Sequence, residues 1–381
     1  MPNPPASAAE RPTVVHFVTG GFSGATQVAV DLCLAALQAG PYAPVLVLRR
    51  KRHTPMARVE ALRAQGLTVH LVSGGWSHLP TISALAALLR EIQPLALLAH
   101  GFPEHLIGRR AGVRAGVRVL IQVEHNSRER YTPWSRWLSR RLAVKTAAFV
   151  GVSEGVRQTL LAQGLPKAQT WAIPNGIDLS RFAEPAAPAG EREAGLVMSA
   201  RLARQKDHAT LIEALPLLAS THGLKPRLQL AGTGPLLGRL QALAAKRGVA
   251  GQVSFLGQHR DMPSLLRSQR VYVLATHFEG MPLALVEAMA SGCACVASDV
   301  IGVRGVIEDG VTGLLVPEGD ARALAAAVAR LLNDPALATQ LGEAARARAQ
   351  VAHGLPLMLA RYEGLITRCA TIAERAASGP A

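Results

Sequence analysis

Glu279 and Glu287 stand eight residues apart in the segment HFEGMPLALVEAMASG, residues 277–292. Glu279 falls in a loop after the apolar run Val271–Ala275, and Glu287 falls inside a helix whose early position is Pro282, a residue suited to a first turn. One carboxylate therefore marks the mouth of a helix and the other its body. Between them, the free amides of the first turn can receive an anion such as a diphosphate. Carboxylates also accept short, charge-assisted hydrogen bonds from paired hydroxyls. Two acids at this spacing on an Ala- and Leu-rich helix are ordinarily solvated, but the flanking E-G-M-P and A-S-G set this pair apart. Upstream, in SARLARQKDHATLIEAL (199–215), Arg201 and Lys206 lie in the turn between the apolar run Leu196–Ala200 and the next helix. Cations at a strand's end can hold phosphates, Arg as a planar fork and Lys as a point charge.

Three weaker constellations lie in the first half. Val14–Thr19 runs into Gly20-Gly21-Phe22-Ser23-Gly24, a strand-to-helix turn where backbone can approach a ligand. It matches neither the dinucleotide G-x-G-x-x-G nor the Walker pattern. His125 follows the strand-like run Val117–Val123, where an imidazole could bond a ligand or move a proton. From Arg128 to Lys145, basic residues surround two Trp. On a helix from Pro133, Trp134, Trp137, Leu138 and Leu142 share one face, with Arg136 and Arg140 opposite and Arg141 near the stripe. Arg128, Arg130, Trp134, Trp137, Arg140 and Arg141 thus suit an anionic membrane surface or acceptor. The same pattern suits a helix packing its apolar face on a sheet.

These residues need strands and helices to position them. Short apolar runs (Val14–Thr19, Val45–Arg49, Leu67–Val72, Leu95–Ala99, Val117–Val123, Ala147–Val152) alternate with helical stretches such as Thr26–Gln38 and Ile82–Glu91. A second series follows: Leu196–Ala200, Arg227–Ala231, Val253–Leu256, Val271–Ala275, Ala294–Ala297 and Gly313–Val316, with helices at Ala209–Ala219, Pro235–Arg247 and Leu283–Ser291. The alternation predicts an α/β fold of two doubly wound parallel sheets. The length, 381 residues, also suits two domains. The expected division is 1–182, 195–355 and a helical tail 356–381 returning to the first domain, with Ala183–Gly195 as linker and a cleft between domains.

Residues 1–182 carry 21 Lys and Arg against 9 Asp and Glu, and the remainder 20 against 17. The basic first half calls for an anionic partner. No nucleic-acid motif is present, so nucleic acid is not the expected one. The four Cys, at 33, 293, 295 and 369, are too scattered for a disulfide framework and complete no metal site, which predicts reduced core residues. Neither a secretory signal nor a membrane span is expected, and the chain reads as cytoplasmic, with peripheral attachment to the inner membrane face.

Taken together, the motifs resemble the family 4 glycosyltransferases, retaining enzymes of the GT-B fold. The likeness runs through Gly20-Gly21, VGVSEGVRQTLL (150–161), IPNGIDLSRF (173–182), SARLARQKD (199–207), LAGTGP (230–235), FLGQ (255–258), the E-x7-E segment and GVIEDGVTGLLVPEGD (305–320). It implies a UDP- or GDP-linked sugar as co-substrate, no separate cofactor, and a glycan or lipid-linked acceptor bound by the first domain. Arg201 and Lys206 would neutralise the leaving diphosphate. Glu279 would meet sugar hydroxyls, amides around Gly280, Met281, Pro282 and Leu283 the sugar or phosphates, and Glu287 the ribose. His125 would sit beside the donor sugar, with Gly21 near phosphate or acceptor. The family's G-R reads Ala200-Arg201 here, and its K-G reads Lys206-Asp207. No D-x-D occurs, so transfer without a metal is expected. A nucleotide-sugar epimerase of this architecture, or a non-catalytic basic binding protein, remain the alternatives.

Overall fold

The computed structural model describes residues 11–73, 78–128, 131–184 and 186–378. The chain forms two compact units, one of Met1–Gly176 with Leu355–Ala381 and one of Ile177–Gly354.

The first unit alternates β1 (Thr13–Thr19), α1 (Gly24–Ala39), β2 (Ala43–Arg49), α2 (Met56–Ala64), β3 (Thr68–Val72), α3 (His78–Ile92), β4 (Ala96–His100), α4 (Glu104–Ala115), β5 (Val119–Glu124), α5 (Pro133–Ala143), β6 (Ala148–Gly151), α6 (Glu154–Ala162) and β7 (Thr170–Ala172). Its strands are parallel in the order β3-β2-β1-β4-β5-β6-β7. Buried on both faces, they read as apolar runs such as VLVL in β2. The three-residue β7 is too short to stand out as such a run.

The second unit follows the same plan: β8 (Glu193–Ser199), α7 (His208–His222), β9 (Leu228–Ala231), α8 (Leu237–Lys246), β10 (Val253–Gly257), α9 (Met262–Ser268), β11 (Gln269–Leu274), α10 (Leu283–Ala290), β12 (Ala294–Ser298), α11 (Ile301–Arg304), β13 (Leu314–Val316), α12 (Ala321–Asn333) and α13 (Pro335–Ala352). Its parallel sheet runs β10-β9-β8-β11-β12-β13. The last helix, α14 (Leu355–Ser378), packs in the first unit. It buries Met358, Tyr362, Leu365 and Ile366, and Tyr42 and Thr367 hydroxyls meet at 2.7 Å.

Ala183–Gly195 is not a linker. Its described residues pack into the second unit, where the buried Arg192 guanidinium donates to the carbonyls of Ala187, Leu266 and Ser291. The small residues that suggest looseness serve close packing: a Cβ on Gly190 would meet Pro335 O at 2.2 Å. The chain passes between units at Gly176 and Ile177 instead, and the Ile177 amide bonds to His353 O. All four Cys are free and buried.

In both sheets the strand order reverses once, between β1 and β4 and between β8 and β11. The carboxyl ends flanking such a reversal open a crevice, because the outgoing connections turn to opposite faces.

Candidate active site

In the second unit, the segments leaving β8 and β11 meet at that reversal. Lys206 and Thr276 form an isolated antiparallel bridge. The Asp207 amide donates to Ala275 O and the His277 amide to Gln205 O, both at 2.9 Å. This backbone zipper brings Lys206 and Glu279 together although 73 residues separate them. The Lys206 ammonium donates to Glu279 Oε1, and the Thr276 hydroxyl lies 2.9 Å from the same oxygen. Their side chains are only 18% and 6% exposed, so the pair is largely withdrawn from water. Asp207, which departs from the family's usual glycine, caps α7 through the Thr210 amide.

Glu279, Gly280, Met281 and Pro282 form a buried loop into α10. Pro282 is the N-cap, not a first-turn residue, and α10 begins at Leu283. Proline has no N–H and its side chain makes no cap bond, so Pro282 contributes neither a donor nor a cap at this helix start. Glu287 sits half-buried on the second turn. Beneath it, burial pushes the Tyr272 phenol well above its usual range, and Cys295, Glu287 and Glu279 push the same way against a bond to Ser199 O. Both acids thus act on one buried group under the loop. Arg201 is exposed and, among the described residues, forms no ion pair. The structure therefore joins Lys206 to Glu279 directly but shows no such contact for Arg201.

Sequence reading missed Tyr272, Thr276 and the small residues that seat the loop. A Cβ on Gly302 would lie 2.5 Å from the carbonyl oxygens of both Glu279 and Gly280, so α11 presses directly beneath that loop. It also missed His277, whose Nδ1 is 2.9 Å from Glu318 Oε1.

In the first unit, Gly20 follows β1 and donates its amide to Arg49 O; a Cβ there would lie 2.8 Å from that oxygen. Gly21 is exposed, with only the Thr19 hydroxyl near. The left-handed position of this turn is Phe22, not a glycine. Beside it, Arg50, Lys51, Arg52 and His53 form an exposed basic run after β2 that residue counting alone did not locate.

His125 sits half-buried after β5, its Nε2 3.0 Å from His100 Nδ1. Burial lowers the His125 pKa to about 3 and keeps the ring neutral. Its backbone amide bonds to Glu124, which also accepts from Tyr131. Tyr131 in turn is 2.6 Å from His105 Nε2, and Arg109 reaches His105 and Ser139. The buried Arg109 guanidinium, lowered to about 10 by desolvation, sits under α5.

That arrangement corrects the packed-helix reading of α5. Its buried residues are Ser135 and Ser139, whereas Trp134 is 67% and Trp137 44% exposed. The two indoles stack at 4.7 Å, and Arg141 lies over Trp137 at 5.0 Å. Periodicity locates the apolar stripe but not the cation beneath the serine face. Arg140 donates to Gln163 O, and Arg128 is exposed. Arg130 lies outside the described residues.

Two family models cover most of the chain: "Glycosyltransferase Family 4" over residues 22–181 and "Glycosyl transferases group 1" over 181–348. The chain belongs to the family 4 glycosyltransferases. Among curated relatives of this family 4 chain, the phosphatidyl-myo-inositol mannosyltransferase of Mycolicibacterium smegmatis is 39% identical over 189 residues, 47% of this chain and 46% of that protein. The alpha-D-kanosaminyltransferase of Streptomyces kanamyceticus is 29% identical over 270 residues, covering 65% and 67%. Other matches likewise span about half of the relative, 53% and 51% for two of them. Anabaena HepE, solved with UDP-glucose, superposes with a TM-score of 0.82 at 18% identity, covering 94% of this chain and 100% of that one. The likeness establishes the GT-B fold.

Proposed function

We propose that this chain moves a hexose or similar sugar from a UDP- or GDP-linked donor to a glycan or lipid-linked acceptor, in envelope or exported polysaccharide synthesis. The observation that carries this reading is the meeting of Lys206 and Glu279 at the reversal of the second sheet, beside the uncapped start of α10. The carboxylate suits sugar hydroxyls, while the ammonium and first-turn amides suit a diphosphate. HepE's complex with UDP-glucose adds support for such a donor. Glu287 is assigned to the ribose, Arg201 to the phosphates and His125 to the donor sugar.

In the proposed step, the bond from anomeric carbon to phosphate oxygen breaks as an acceptor hydroxyl attacks from the same face. Same-face attack retains the configuration, and the hydroxyl proton passes to the departing phosphate. Lys206, Arg201 and the amides stabilise charge developing on that phosphate, with no metal assigned a part. A thermal-shift panel of UDP-, GDP- and ADP-sugars tests the donor: a true donor raises the melting temperature by mass action. The absence of a shift across the panel at millimolar donor would refute the reading.

We further assign α5 to an anionic lipid surface at the acceptor side. The stacked Trp134 and Trp137 supply an interfacial apolar face, and Arg136, Arg140, Arg141 and Lys145 supply the positive charge. Among the described residues no helix is long and apolar enough to cross a membrane, so attachment would be peripheral. In co-sedimentation with phosphatidylglycerol vesicles, replacing both Trp134 and Trp137 by Ala is expected to reduce binding at least several-fold without changing the melting temperature. Equal sedimentation of both proteins would remove the assignment.

A further inference from the structure

Three histidines from separate strands form one file through the first unit. The parallel register sets His16 of β1 opposite Leu98 of β4. His100, two residues on, shares its face and lies opposite Val123 of β5. His125, two residues beyond Val123, continues the diagonal. Nδ1 of His16 lies 3.1 Å from Nε2 of His100, and Nδ1 of His100 lies 3.0 Å from Nε2 of His125. His16 and His100 are buried, and desolvation lowers the first to about 4 and the second well below its usual value. All three rings are therefore neutral at pH 7, with one N–H each.

That leaves two arrangements. In a file of neutral imidazoles linked Nδ1 to Nε2, each bond needs one donor and one acceptor. Either every ring carries its proton on Nε2 or every ring carries it on Nδ1, because a mixed file would set two lone pairs or two N–H groups face to face. The far end decides between them. His16 borders a cavity of about 20 Å³, the size of one water, which Tyr362 and Glu363 of α14 also line. Among the described residues, the Tyr362 hydroxyl and Glu363 Oε1 are buried without a hydrogen-bond partner. A carboxylate oxygen short of a donor favours N–H at His16 Nε2, directly or through a water.

We infer that His16 and His100 are positioning residues that hold His125 as its Nε2–H tautomer, so that Nδ1 of His125 presents a lone pair able to accept from a sugar hydroxyl. The sugar's part of this rests on the donor-site reading of His125; the tautomer does not. The chain labelled with ¹⁵N-histidine tests it at neutral pH, with the three rings assigned from single replacements. The expected spectrum places the proton on Nε2 in all three and shows ¹⁵N–¹⁵N coupling across both hydrogen bonds. A proton on Nδ1 of any of them, or no coupling across either bond, overturns the inference. In His100→Phe, the His125 nitrogens are expected to move to exchange-averaged shifts, and unmoved shifts would likewise overturn it. Should that variant not fold, the wild-type spectrum decides. Failure to bind any nucleotide sugar with the file intact would count against the donor-site reading alone.

Discussion

Glu279→Gln is expected to lower the rate of sugar transfer by roughly 10²-fold or more, the scale seen when a preorganised charged partner of the reacting group is lost. Glutamine keeps the shape and a bond to Thr276 but removes the negative charge that Lys206 meets. Breaking a largely buried pair leaves Lys206 uncompensated, at a cost of about 1–3 kcal/mol once its partial exposure is allowed for. A loss of activity could then reflect poor folding. Lys206→Met with Glu279→Leu separates the two effects. Removing both charges is expected to restore most of the melting temperature and none of the transfer. Near-normal turnover by Glu279→Gln would end the assignment of this carboxylate to the donor. On the proposed donor reading, a nucleotide sugar would have to share Lys206 between its phosphate and Glu279.

Gly302→Ala is expected to cost about 1–3 kcal/mol of stability through overpacking. Because it moves the Glu279 loop, it should also lower kcat/KM by up to ~10²-fold, the penalty for misplacing a reacting group by about an ångström. The added methyl would lie 2.5 Å from two backbone carbonyl oxygens, with no flexible side chain to give way. Gly305→Ala is the control: it caps the other end of the same short helix, and a Cβ there meets nothing within 4 Å. Indistinguishable kinetics for the two variants would show that the loop's seating does not govern the reaction.

The strands were legible because a parallel strand covered on both faces is apolar along most of its length, as in Val45–Leu48 and Val271–Leu274. Glu279 and Lys206 were legible as separate signals at strand ends. Their pairing was not, since it depends on β8 and β11 being neighbours, a matter of strand order. The histidine file escaped notice for the same reason: residues 16, 100 and 125 meet only because β4 lies between β1 and β5. In α5, 3.6-residue periodicity identified the Trp face but could not show that Arg109, from another helix, claims the serine face. The Ala-, Pro- and Gly-rich stretch after residue 182 misled because composition records small size, which serves tight packing as well as looseness.

The return of α14 to the first unit bears on how the protein is made. Sequence-wise, the second unit is inserted within the first, whose opening 176 residues precede it and whose last helix follows it. During synthesis the second unit can complete its core as soon as its own residues have emerged. The first must wait, with its β1 and α1 surface uncovered, until α14 has emerged as well. The unit begun first is thus completed after the second, and the wall behind His16 closes only once α14 is in place.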